Sequence, residues 1–167
     1  FNIEKKHLKA FTAYNKFTKE RLHILKSNAP DSAWLEQIEK KIAVCAYEII
    51  EYRQAAISKI NTNLSLISLP FNSCIIELNY EDTLKITSDI DEFTFDYENT
   101  LFKNRTFDKE TNRTLVGPNK VEVKMWKLDD RSIEAKYCST GEQKSILISI
   151  ILSVAQIIKN SLIWKPR

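Results

Sequence analysis

The residues best equipped for chemistry sit together in the last third of the chain: Ser139-Thr140-Gly141-Glu142-Gln143-Lys144, directly ahead of the apolar run SILISIILSVAQII. A helix that starts here leaves its first backbone N–H groups unpaired and carries partial positive charge at that end. Ser139 or Thr140 can cap the helix and also offer a hydroxyl to an anion. Gly141 is one of only two glycines in 167 residues. It lets a backbone N–H approach an anion with no side chain in the way. Gln143 can donate an amide hydrogen, and Lys144 adds a formal charge. The sum is an anion-binding helix start. The same residues also spell an ordinary capping box, with Glu142 reaching back to the Ser139 N–H. On these residues alone both readings stand.

Other candidates are weaker. His7 and His23 have no Cys or acid at ligand spacing, so they read as surface histidines, and no metal is expected. Cys45, Cys74 and Cys138 are odd in number and far apart. They suit a reducing cytoplasm, with Cys45 and Cys138 read as buried apolar thiols rather than nucleophiles. Asp91-Glu92 falls near a helix start and Asp129-Asp130 in a turn, so neither reads as a general acid/base pair. Trp34, Trp126 and Trp164 are too scattered to form a stacking platform for bases.

Elements must position the 139–144 stretch. Ile3, Phe11, Tyr14, Leu22 and Leu25 recur at helical spacing from Phe1 to about Leu25. Pro30 stops that helix, and Asp31 or Ser32 can cap a second one running to about Asn61, with Glu36 in its first turn. Leu35, Ile38, Ile42, Cys45, Ile49, Tyr52 and Ala56 alternate three and four apart, a seam of three heptads. The seam predicts an antiparallel helical hairpin, roughly 40 Å long from the helical rise. SLISLPFNS breaks the chain, and CIIELNY reads as a strand bounded by Pro70 and Asn72. Ile90, Phe93, Tyr97 and Leu101 predict a helix that ends before DKETNRT. KVEVKMWKL and SIEAKY, turned by Asp129-Asp130-Arg131, predict a β-hairpin leading into the 139–144 stretch and its helix. The expected fold class is α+β. The expected parts are a helical hairpin arm over 1–66, a strand and helix completing it over 67–116, and a lobe fragment with β-hairpin and buried helix over 117–167.

The net charge of +3 conceals a pattern: 1–27 carries seven Lys/Arg against two Glu, whereas 74–100 carries eight Asp/Glu against one Lys. The basic segments fit either ordinary solvated faces or a surface that meets nucleic-acid phosphates. The apolar run Ile146–Ile158 is too short to span a bilayer, so no membrane partner is expected. Its apolar residues, from Ile146 and Leu147 to Ile157 and Ile158, wrap more of the helix than one hairpin can cover, which predicts an exposed patch or self-association.

The order β-hairpin, STGEQ, buried helix and SLIWKPR resembles the signature region of ABC-type ATPases. More specifically, RTLVGP (Arg113–Pro118) and CSTGEQKSILISIIL (Cys138–Leu152) resemble the RecF family of bacterial DNA repair proteins, and DSAWLEQIE (Asp31–Glu39) looks like that family's helical arm. The resemblance implies that Ser139 is the signature serine and Gly141 the signature glycine. With Thr140, Glu142, Gln143 and Lys144 they would contact the γ-phosphate of ATP held by a second, RecF-like subunit. Thr140 stands where many ABC proteins have another glycine, and Glu142 where they often have glutamine. Asn119-Lys120-Val121-Glu122 departs from the His, Arg and paired acids usual after GP. The implied parent binds ATP with Mg, dimerises on it, and binds single-stranded or gapped duplex DNA alongside recombination mediator proteins. No G-x-x-x-x-G-K-[ST] occurs in these residues, and no apolar strand ending in Asp-Glu. Since the chain also opens on Phe1, it is expected to be the middle of such a protein, binding no nucleotide firmly and hydrolysing no ATP alone. The alternative is a non-enzymatic helical-hairpin interaction module in which STGEQ is only a cap.

Overall fold

A computed structural model describes residues 2–66, 73–80 and 84–163. The element order is α1 (Asn2–Lys26), α2 (Ser32–Leu66), β1 (Cys74–Asn79), α3 (Ile90–Lys103), α4 (Arg105–Thr111), β2 (Glu122–Lys127) and α5 (Thr140–Ile163). Among the described residues this is a helical protein with one two-stranded antiparallel sheet, the expected α+β class. Pro70 and Asn72, and the Trp164–Arg167 part of SLIWKPR, lie outside the described residues.

The chain divides into two compact units, each discontinuous in sequence. One comprises 1–52 and 80–121, the other 53–79 and 122–167.

In the first unit α1 and α2 run antiparallel. His7 meets Tyr52, Lys41 lies over Phe17, and Arg21 pairs with Glu39, so position falls on α2 as it rises on α1. Asp31 caps α2, its carboxylate accepting from the Trp34 N–H at 3.1 Å. Leu35, Ile38, Ile42, Cys45 and Ile49 are buried, as the seam predicts. Ala10, Tyr14, Arg21 and Leu25 face inward from α1. Arg21 is therefore a charge in a core stripe, and that requires full pairing. Its Nε donates to Glu39 at 2.8 Å, Nη1 to Asp108 at 2.7 Å and Nη2 to the Leu101 carbonyl at 2.7 Å. Arg105 closes the other side of Glu39 at 2.6 Å.

The helix predicted from Ile90 to Leu101 ends at Lys103, before DKETNRT, and a separate helix, α4, then runs into that stretch, where Asp108 anchors it. Its second carboxylate oxygen accepts the Leu115 N–H at 3.2 Å, which fixes α4 in place. Asn112 then ends α4 in the left-handed conformation, φ 54°.

In the second unit β1 and β2 pair in the register Cys74↔Lys127 to Asn79↔Glu122. Here the expected hairpin differs. SIEAKY forms no second strand; it contributes one bridge, Trp126↔Glu134, and a 3-10 turn, Ala135–Tyr137. β2 has its sheet partner in β1 instead, so a neighbour distant in sequence outcompetes the local turn. Leu64, Cys74, Ile76, Ala135 and Ile146 form the core of this unit.

α5 packs with an unexpected face. Ile146, Ser149 and Ser153 are buried, while Leu147, Ile148, Ile151, Leu152 and Ile158 are exposed. The serines, which interrupt the apolar run, let α2 come close. Asn63 Nδ2 donates to Ser153 O at 2.9 Å and to its Oγ at 3.1 Å. The exposed apolar face is the patch the composition predicts. Among the described residues one helix, Thr140–Ser161 within α5, is long and apolar enough by length and composition to cross a membrane. It is longer than the Ile146–Ile158 run suggests.

Candidate functional site

The sheet and the 3-10 turn deliver the chain to the start of α5. Lys127, at the end of β2, donates its N–H to Ile133 O at 3.0 Å, closing the turn through Asp130. The Tyr137 and Cys138 N–H groups then donate to Glu134 O and Ala135 O, and Ser139 becomes the cap of α5.

The capping box is formed in full. Glu142 Oε2 accepts from the Ser139 N–H at 3.0 Å and from the Ser139 hydroxyl at 2.8 Å. Ser139 Oγ lies 3.4 Å from the Glu142 N–H, and Ser139 O accepts the Gln143 N–H at 2.9 Å. The other carboxylate oxygen, Oε1, accepts from Lys127 Nζ at 3.1 Å. Hydrogen bonds from Ser139, then the Lys127 ammonium, push the Glu142 carboxyl down to about 2. Lys127, held also by Asp129, has its own pKa raised.

Gln143 turns backward. Its amide donates to Lys136 O at 3.1 Å and Cys138 O at 3.0 Å, clamping the turn that leads into the helix. Ser139, Thr140, Gly141 and Lys144 are solvent-exposed, and a Cβ at Gly141 would meet nothing within 4 Å. Two first-turn N–H groups are met by Ser139; those of Thr140 and Gly141 have no partner among the described residues. The structure thus brings all six residues to one exposed helix start. It turns the acid toward its own lysine and leaves two N–H groups outward, with Lys144 behind them. Such a surface can accept an anion presented from outside. Beside it lies an open hollow of about 560 Å³, lined by Thr140, Gln143, Lys144 and the apolar Ile146 and Leu147.

The remaining candidates take structural places. Burial pushes the Cys74 thiol up to about 11 and raises Cys45, so neither is a thiolate nucleophile at neutral pH. Cys138 is half-buried rather than fully buried, its thiol 3.9 Å from the Glu134 carbonyl. His7 is half-buried between Phe11 and Tyr52 rather than at the surface, while His23 is exposed. Asp91 and Glu92 form the acidic first turn of α3, capped by Asp89. Among the described residues no group of three His, Cys, Asp or Glu could hold a metal ion.

Sequence reasoning passed over the Arg21–Glu39–Arg105–Asp108 network and the contact of Tyr14 with Tyr97, 3.1 Å between hydroxyls, over Gly117. The available signal was Arg21 itself, four residues before Leu25 and seven after Tyr14 on an apolar stripe.

No protein-family model matches the chain. It is 34% identical over 160 residues to the DNA replication and repair protein RecF of Rickettsia prowazekii, and 33% identical to that of Rickettsia typhi. Each match covers 92% of this chain and 42% of the relative. The fold resembles solved structures of the recombination mediator protein RecF-ATPrS and RecF-ATP in the RecFOR pathway, with TM-scores of 0.79 and 0.78. These are 22% and 23% identical in sequence, and each likeness covers 98% of this chain and 45% of the other. The chain spans less than half the length of the relatives it matches.

Proposed function

We propose, from the premise that this chain is homologous to RecF proteins over nearly all of its length, that it serves a RecF-like protein of DNA repair and recombination. In this reading Ser139-Thr140-Gly141 closes over the γ-phosphate of ATP held by a partner subunit. The observation that carries the reading is the exposed start of α5, where the Thr140 and Gly141 N–H groups point outward and Lys127 holds the Glu142 charge aside. A triphosphate oxygen arriving there meets backbone donors and the positive end of a 24-residue helix. The chain binds DNA through its basic segments, works in the cytoplasm, and engages recombination mediators.

These residues contain no phosphate-cradling loop. We therefore expect the purified chain to release no phosphate from ATP and Mg above a no-protein control; turnover that falls on mutating Ser139 would sink this part of the reading.

The completed Ser139–Glu142 box favours a second reading, in which the motif is a cap alone. Gly141→Asp separates the two. A Cβ there meets nothing within 4 Å, and an acid in the first turn of a helix is favourable, so the melting temperature holds. Its added negative charge opposes a triphosphate. Mixed with an intact RecF relative and ATP, the wild-type chain should associate in a nucleotide-dependent way, and Gly141→Asp should abolish this. Equal association by both chains would leave only the cap.

A further inference from the structure

A second hollow, of about 320 Å³, lies in the first unit between α1 and the segment after α4. Three of its lining residues are cationic, Lys19, Arg113 and Lys120, and none is acidic. The hollow beside α5 differs, because Glu122 and Glu134 offset its lysines. Asn15, Asn112 and Asn119 add side-chain amides to the basic hollow.

Asp108, the acid bonded to this segment, cannot neutralise it. Asp108 is fully buried and spends both oxygens on Arg21 and the Leu115 N–H. Lys19 and Arg113 are exposed and form no ion pair among the described residues.

The hollow has fixed walls. The Arg113 N–H donates to Asp108 O at 3.2 Å and the Lys120 N–H to Gly117 O at 3.0 Å, holding both ends of the segment. Gly117, at φ 152°, approaches the Tyr14 hydroxyl so closely that any side chain there would collide with it. Cations and amides around one hollow, fixed backbone and no acid among the described lining residues suit a tetrahedral oxyanion.

We propose that this hollow binds a phosphate group, and that the phosphate is a backbone phosphodiester of DNA. The phosphate chemistry stands on the hollow itself; the DNA source rests on the proposed function. The full chain and its Lys19→Gln/Arg113→Gln/Lys120→Gln variant are compared, with Lys5→Gln/Lys9→Gln/Lys26→Gln as a charge-matched control on α1. Matching melting temperatures establish that all three are folded.

Titration with inorganic phosphate should shift the amide NMR signals of Asn112, Arg113 and Gly117 in the wild type and not in the hollow variant. Binding to a gapped duplex, followed across salt concentrations, should lose about 2 to 3 in log–log slope in the hollow variant and less in the control. No phosphate shift in the hollow overturns the site. An equal slope loss in the control assigns the effect to bulk charge and overturns the DNA assignment. An unchanged slope alongside bound phosphate also overturns that assignment, in favour of a free or mononucleotide phosphate. If the wild type binds phosphate in the hollow but no DNA, the site stands and the DNA part of the proposed function falls.

Discussion

Glu142 meets Ser139 through one carboxylate oxygen and Lys127 through the other, and both contacts need the ionised form. Its folded pKa of about 2 lies below the ordinary 4.5. A depressed carboxyl contributes stability that is fully present above its unfolded pKa and is lost as pH falls through its folded one. Glu142→Ala should therefore melt below the wild type at neutral pH, and the gap should close as pH drops from 4.5 toward 2. A gap that does not change with pH would mean the carboxylate is not what holds the helix start. At this scale the sequence was readable where partners are close along the chain. Ser139 and Glu142 are three apart, so the box followed from spacing alone. Glu142's second contact, with Lys127, crosses from β2 and left no local mark. The reason for Gly117, the Tyr14 and Tyr97 hydroxyls against it, comes from residues far away in sequence.

Helices were the most legible elements, because a repeat of three and four is a property of one segment. α1 begins and ends near its predicted limits, α2 runs past the predicted Asn61 to Leu66, and Asp31 caps α2 as expected. The seam along α2 holds through Ile49 to Tyr52, which is half-buried against His7. Ala56 is exposed, and the inward positions become Ile57, Ile60 and Leu64, which pack in the second unit. Strand pairing was less legible, since register is decided by a partner; β2 chose β1 over the nearby SIEAKY. The inward face of α5 was read least well. Its composition favoured the isoleucines, yet Ser149 and Ser153 are fully buried. Small residues there serve a close approach to α2. Ser153→Leu should therefore destabilise the chain by about 1 to 3 kcal/mol through overpacking, despite raising the helix's apolar content. Urea unfolding measures this, and an unchanged or raised midpoint would show that the interface has slack.

At the scale of the whole molecule, the interior of the first unit depends on residues distant in sequence. Arg21 finds Asp108 and the Leu101 carbonyl, and Tyr14 finds Tyr97. Residues 1–66 made alone would keep α1 and α2 but leave Arg21 with Glu39 as its one remaining acid partner among the described residues. Removing one partner from a buried charge network typically costs about 3 to 5 kcal/mol. That piece should show helical circular dichroism with poorly dispersed side-chain NMR signals, whereas sharp, native-like signals would show that the hairpin is self-sufficient. The chain's path also bears on how it is made. The first unit opens with 1–52 and closes only with 80–121, while 53–79 must wait for 122–167. On a ribosome, which releases the N-terminus first, neither unit can finish folding while its opening segment emerges. Each contains partners separated by dozens of residues, so synthesis passes through a stage in which α2 is complete and much of its apolar stripe is still uncovered. The interleaving that ties early residues to late ones thus leaves the nascent chain exposed to aggregation until its later segments arrive.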